Sequence, residues 1–154
     1  MSLTMTGVVT GAAMTGFTSP TYTLTADTAA DDNARQSAVT VIGGTQTGVG
    51  AHSVSLPFTV TETRPRTLRT LGRPNLNGLI QNVGRNTYKR IIRKGAYPLS
   101  GQPAQTLISR TEYEISAGVE LNDQPNLKAM LCFEAGYVSA NAIGRFDTFV
   151  NAIL

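Results

Sequence analysis

The apolar residues of this chain keep one period up to about Gly118 and a different one after it, and that change constrains the fold more than any motif. From Ser53 to Thr61, Val54, Leu56, Phe58 and Val60 alternate with Ser55, Thr59 and Thr61. Successive strand residues point to opposite faces, so this stretch predicts a strand with one apolar and one hydroxyl face. An antiparallel sheet covered on one side only has this pattern. Pro57, on the hydroxyl face, marks an edge or a bulge. Weaker alternation runs from Leu3 to Thr10, Thr21 to Ala26, Ser37 to Ile42, Asn86 to Lys94 and Thr106 to Ser116. Gly43-Gly44, Gly72, Gly84, Gly95, Gly101 and Gly118 read as the turns between them.

Past Gly118 the spacing becomes helical. Asn122-Asp123 offers an N-cap, and Pro125 falls in the first turn, where its missing N–H costs nothing. Leu127, Met130, Leu131, Ala135 and Val138 then recur on one helical face. After an interruption at Gly144, Phe146, Phe149, Val150 and Ile153 form a second such face. Strands over about 1–118 followed by two helices over about 123–154 predict one α+β domain, its helices packed on one side of an antiparallel sheet. The 154 residues suffice for a single domain with a core, with no internal repeat and no linker that would divide it.

Charge is sorted along the chain. Between Thr63 and Thr111 there is no Asp or Glu, yet there are ten cations: Arg64, Arg66, Arg69, Arg73, Arg85, Lys89, Arg90, Arg93, Lys94 and Arg110. The formal net charge of +3 conceals this, because all ten acids lie elsewhere with only Arg35, Lys128 and Arg145. Sorted charge points to a polyanion, since each cation placed on a phosphate releases condensed counterions whatever the base sequence. A solvated basic face is the alternative, although such faces usually mix signs. With 15% charged residues the chain is poor in charge for a soluble monomer, which suggests that much of its surface meets another subunit.

Catalytic motifs are lacking. His52 is the single histidine, so a histidine-based metal site is out of reach and a Ser-His-acid trio has no local signature. It reads as a strand cap or a solvent-exposed side chain. Cys132, the single cysteine, lies between Leu131 and Phe133 in the first helix and reads as packing; it cannot form an internal disulfide, which fits a reducing cytosol. The glycine-rich stretch from Gly43 to Gly50 lacks the Lys-Ser/Thr ending of a phosphate loop and precedes a strand, so it reads as a hairpin connection. Asp27 to Asp32 does not have calcium-loop spacing. No apolar run is long enough to span a membrane, and no basic stretch precedes a hydrophobic one at the N-terminus, so no secretory signal is expected. No enzyme activity, cofactor or metal is expected.

The basic strand from Asn86 to Lys94 carries cations on both faces: Thr87, Lys89, Ile91 and Arg93 on one, Tyr88, Arg90, Ile92 and Lys94 on the other. A hydroxyl, a Lys and an Arg beside Ser55, Thr59 and Thr61 would make a phosphate-binding floor that positions a nucleic acid without reading its sequence. Arg64, Arg66 and Arg69 add charge to the same reading. Tyr88 has two readings, stacking on an unpaired base or ordinary sheet packing.

The order is a short N-terminal hairpin, antiparallel strands, a basic strand, a Pro/Gly loop, a long strand and two helices. It resembles the coat proteins of single-stranded RNA bacteriophages, the levivirus-like group. The resemblance is carried by Asn86-Thr87-Tyr88-Lys89, then Arg93-Lys94-Gly95-Ala96-Tyr97-Pro98-Leu99 and Arg110-Thr111-Glu112. It continues through Ile115-Ser116-Ala117-Gly118-Val119, Asn122-Asp123, the helical stretch from Asn126 to Ala135, and the ending Asp147-Thr148 with Asn151-Ala152-Ile153-Leu154. It implies an intertwined homodimer whose sheets join edge to edge, with each subunit's helices crossing onto its partner. Leu127, Met130, Leu131, Phe146, Phe149, Val150 and Ile153 would then be dimer-helix residues. Such dimers build an icosahedral shell around a single-stranded RNA genome, which implies a virion capsid location after assembly in the bacterial host cytoplasm. A genomic hairpin bound by the dimer would repress translation. By parity the RNA face would hold Thr87, Lys89, Ile91 and Arg93, with Ser55, Thr59 and Thr61. The loop from Gly95 to Gln105, with Ala96, Tyr97, Pro98, Leu99, Gly101 and Pro103, would gather at symmetry axes as an assembly loop and not as an RNA site. Extra residues around Gly72 to Gly84 and the Arg-rich segment from Arg64 to Arg73 depart from the smaller members of the group. The alternative function is a non-capsid RNA-binding module of ribosomal or regulatory type.

Overall fold

In a computed structural model, which describes residues 3–153, six antiparallel strands are followed by three helices. The strands are β1 (Gly7–Thr10), β2 (Thr18–Asp27), β3 (Ala34–Thr45), β4 (Phe58–Thr63), β5 (Arg85–Ala96) and β6 (Gln105–Ser116), each paired with its sequence neighbour in one meander. The helices are α1 (Val119–Asn122), α2 (Gln124–Ala140) and α3 (Ala142–Asn151). No helix among the described residues is long and apolar enough to cross a membrane.

Register assigns the faces, because residues directly opposite each other in an antiparallel pair share one. Thr59, Thr61 and Thr63 of β4 oppose Arg93, Ile91 and Lys89 of β5, and these oppose Ile108, Arg110 and Glu112 of β6. This open face holds Thr59, Thr61, Thr87, Lys89, Ile91 and Arg93 as expected, but not Ser55. Arg90 and Tyr113, on the other face, both bond Glu134 of α2, and Tyr88 and Ile115 line an apolar groove of about 340 Å³ with Leu127 and Leu131. That is the helix-bearing face.

Several expected boundaries move, each for a physical reason. The strand expected from Ser53 begins only at Phe58. Ser53 and Leu56 exchange backbone hydrogen bonds across a tight turn, and Ser53 Oγ also accepts the Leu56 N–H, so Ser55 and Val54 leave the sheet. Alternation by itself did not reveal that this backbone bonds to itself. Gly43 and Gly44 are not a turn but lie inside β3, at a register shift opposite Thr18–Thr21. A side chain on Gly44 would strike the Thr18 and Ser19 carbonyls, so glycine serves a close backbone approach at a bulge. Gly95 and Ala96 belong to β5 for a related reason. The Gly95 N–H bonds Pro57 O at 2.6 Å, and an added Cβ there would lie 2.9 Å from Leu56 and Pro57. The helical interruption falls at Asn141, whose amide donates to Tyr137 O at 2.9 Å; Gly144 lies within α3. The one-turn α1 was not expected. The expected cap of α2 is present, with Asp123 accepting from Asn126 N.

The helices leave the single chain without a hydrophobic core. Among the described residues the buried apolar ones are Ala38, Val39 and Ala117, and the largest fully buried side chain is Ser37. The stripe expected to pack α3 on the sheet is open, with Phe149 83% exposed, and Cys132 is exposed rather than packed. The accessible surface is 11277 Å². A compact monomer of 16.3 kDa would expose about 7,500 Å². The excess is several times the roughly 800 Å² that each partner buries in a standard interface.

Candidate nucleic-acid interface

On the open face, β4 contributes threonines, β5 cations and β6 both signs of charge. Arg93 donates through Nη1 to Thr61 Oγ1 at 2.9 Å. Thr59 and Thr61 are only 5% and 8% exposed, so they form a floor beneath longer side chains and not a surface of their own. Lys89 pairs with Glu112 at 3.2 Å, and Arg85 with Glu114 at 2.7 Å. These pairs are about half exposed and contribute at most about 1 kcal/mol each, but they neutralise one end of the face. At the other end Arg93 and Arg110 form no ion pair with a carboxylate among the described residues. The net positive field of the open face is therefore concentrated at Arg93 and Arg110.

The structure brings together Thr59, Thr61, Thr87, Lys89, Ile91 and Arg93. Ser55 stands apart, in its turn. The three arginines after β4 also stand apart from the open face. Arg64 lines a groove with Leu3, Met5, Glu62 and Tyr88 on the helix-bearing side. Arg66 reaches Asp31 at 3.4 Å. Arg69 is tied through its backbone to the Asn86 side chain, accepting and donating at 3.0 and 2.8 Å. Asn86 faces the helices, so the chain from Arg64 onward crosses to that side. Sequence reasoning grouped these arginines by charge, and only their contacts in the folded chain separate them. It also missed Arg110, Glu112 and Glu114; the parity of the strand expected from Thr106 to Ser116 was the signal that would have placed all three on one face.

Tyr88 lies on the helix-bearing face beside Leu127 and Leu131, the packing alternative, and not beside Lys89 and Arg93. Lys94 is also on that face, with Nζ 2.8 Å from Gly50 O and 4.6 Å from the Phe58 ring centroid, where burial lowers its pKa. His52 caps β4, its Nδ1 accepting the Phe58 N–H at 3.0 Å. Beyond Ala96 the β5–β6 tip, residues 97–104, carries exposed Tyr97, Pro98 and Leu99, with Gly101 at φ +80° making the turn. Among the described residues no three metal-ligating side chains cluster.

No family model and no curated protein matches the chain. A solved structure does: the virus-like particle of bacteriophage ESE020 is 50% identical, with a TM-score of 0.94, over 99% of this chain and 100% of that one.

Proposed function

The chain belongs to the family of bacteriophage coat proteins, and we propose on that premise that it packages single-stranded RNA against the open face of its sheet. The observation that carries the RNA contact is Arg93 and Arg110, diagonal neighbours on that face without carboxylate partners among the described residues, with Arg93 bonded to the threonine floor. Such a floor meets phosphates without reading bases. Arg64, Arg66 and Arg69 are not proposed as part of this face.

The self-associating unit is an intertwined homodimer. A chain that buries Ala38, Val39 and Ala117 but exposes Phe133, Phe146, Phe149, Val150 and Ile153 obtains its core from another copy. The apolar residues of α2 divide between its own sheet, through Leu127, and the outside, through Phe133 and Tyr137, as in a helix buried between two layers. β6 is a twelve-residue edge strand, long enough to pair with its counterpart and make one continuous sheet. Such dimers close into an icosahedral shell in the bacterial host cytoplasm, with the 97–104 tips meeting at symmetry axes through Tyr97 and Leu99. The same open face is available to a hairpin in the genome, and its occupation would repress translation.

Neutralising Arg93 and Arg110 together tests the RNA contact. The slope of log affinity against log salt for a single-stranded RNA should become shallower by about 0.7 for each phosphate that no longer meets a cation, while dimers still form. An unchanged slope would place the RNA elsewhere.

A further inference from the structure

We infer that Gln36 and Thr61 are positioning residues for Arg93: a hydrogen-bonded row that starts at Asp27 crosses four strands and holds the guanidinium ready for a phosphate. This rests on the RNA contact proposed above and adds the uncharged residues that prepare it. In the row, Gln36 Nε2 donates to Asp27 Oδ2 at 2.7 Å and Thr61 Oγ1 donates to Gln36 Oε1 at 2.9 Å. Arg93 Nη1 then donates to Thr61 Oγ1 at 2.9 Å. Asp27, Gln36 and Thr61 are directly opposed across β2, β3 and β4, and Arg93 reaches in diagonally from β5.

Every direction in the row is set by chemistry. An ionised carboxylate only accepts and a guanidinium only donates, so the Gln36 amide must give its N–H to Asp27 and turn its oxygen to Thr61. The single hydroxyl proton of Thr61 goes to Gln36, which leaves a lone pair for Arg93. The Asp27 carboxyl is held below its ordinary range, first by the Gln36 hydrogen bond and then by the Thr28 backbone N–H, so the acceptor that starts the row stays charged. Arg93 uses one N–H in this way and keeps the rest of its planar fork for a bidentate phosphate contact. Glu112 and Glu114, the β6 carboxylates of this face, lie further along the strand, opposite Lys89 and Thr87, and are engaged with Lys89 and Arg85. An anchored Arg has less freedom to lose when the phosphate arrives. The sheet itself needs no hydroxyl at position 61, where valine has the same shape.

The test is binding of a short unstructured single-stranded RNA to the full-length protein, comparing wild type with Thr61→Val, Thr61→Ser, Arg93→Ala and the double variant Thr61→Val/Arg93→Ala. Thr61→Val should weaken binding about three- to tenfold, on the order of one disturbed phosphate interaction. Thr61→Ser should restore it, and Thr61→Val should add nothing once Arg93 is alanine. Wild-type affinity in Thr61→Val beside a weakened Arg93→Ala overturns the positioning role and leaves the RNA face standing. Equal losses from Thr61→Val in both backgrounds also overturn it, as a general structural effect. No effect of Arg93→Ala removes the phosphate contact and this inference with it. If Thr61→Val does not fold, Gln36→Met cuts the next link and is read in the same cycle, where wild-type affinity overturns the row.

Discussion

Glu62 shows how a single side chain on the helix-bearing face registers its surroundings. Burial pushes its carboxyl above the ordinary range, and the nearby Arg90 guanidinium pulls only part of the way back. A carboxyl raised in the folded state binds its proton more tightly there than in the unfolded chain. The resulting stability is fully present below the ordinary carboxylate range and is lost as pH rises through the raised value. Glu62→Gln should therefore flatten the thermal midpoint against pH across that window and leave the protein more stable at neutral pH. A pH profile parallel to wild type would show that Glu62 is not the titrating group. At this scale the sequence made parity legible: Thr87, Lys89, Ile91 and Arg93 do share a face with Thr59 and Thr61. It did not make partners legible. That Lys89 answers to Glu112 while Arg93 answers to Thr61 depends on register between strands far apart in the chain, which alternation within one strand does not contain.

Among the elements, α3 carries the clearest imbalance. Phe146, Phe149 and Val150 recur along it at helical spacing, while Ile153, expected on the same helix, lies past its left-handed cap at Ala152; all four are exposed in the single chain. Burying such side chains contributes about 1.5–3 kcal/mol each, so a partner that covers these four adds about as much as the whole net stability of a typical domain. Ending the chain after Asn141 should abolish soluble assembly, read by size-exclusion chromatography and electron microscopy. A well-folded monomer from that truncation would count against the dimer. The existence of α2 and α3 was plain from periodicity, and the α2 cap from Asp123 and Pro125. What they pack against was not, because an amphipathic face looks the same whether its cover is the same chain or another. Gly43, Gly44 and Gly95 misled for a comparable reason: glycine marks both turns and close backbone approaches, and here it marks the second.

For the whole molecule, a sheet with a threonine and arginine face on one side and helices with uncovered apolar residues on the other has two surfaces to satisfy. In the proposed function another copy would satisfy one and a polyanion the other. A nucleic-acid module that acts alone would need only the second, and membership of the coat-protein family removes that alternative. The central claim is that RNA lies on the open face. Ultraviolet cross-linking of RNA inside particles of the full-length protein, followed by mass spectrometry of the linked peptides, tests it directly. The account predicts cross-links in β5 and β6 around Thr87–Arg93 and Thr106–Arg110. Cross-links concentrated in the Arg64–Arg73 segment or in α2, with none on β5 and β6, would contradict it.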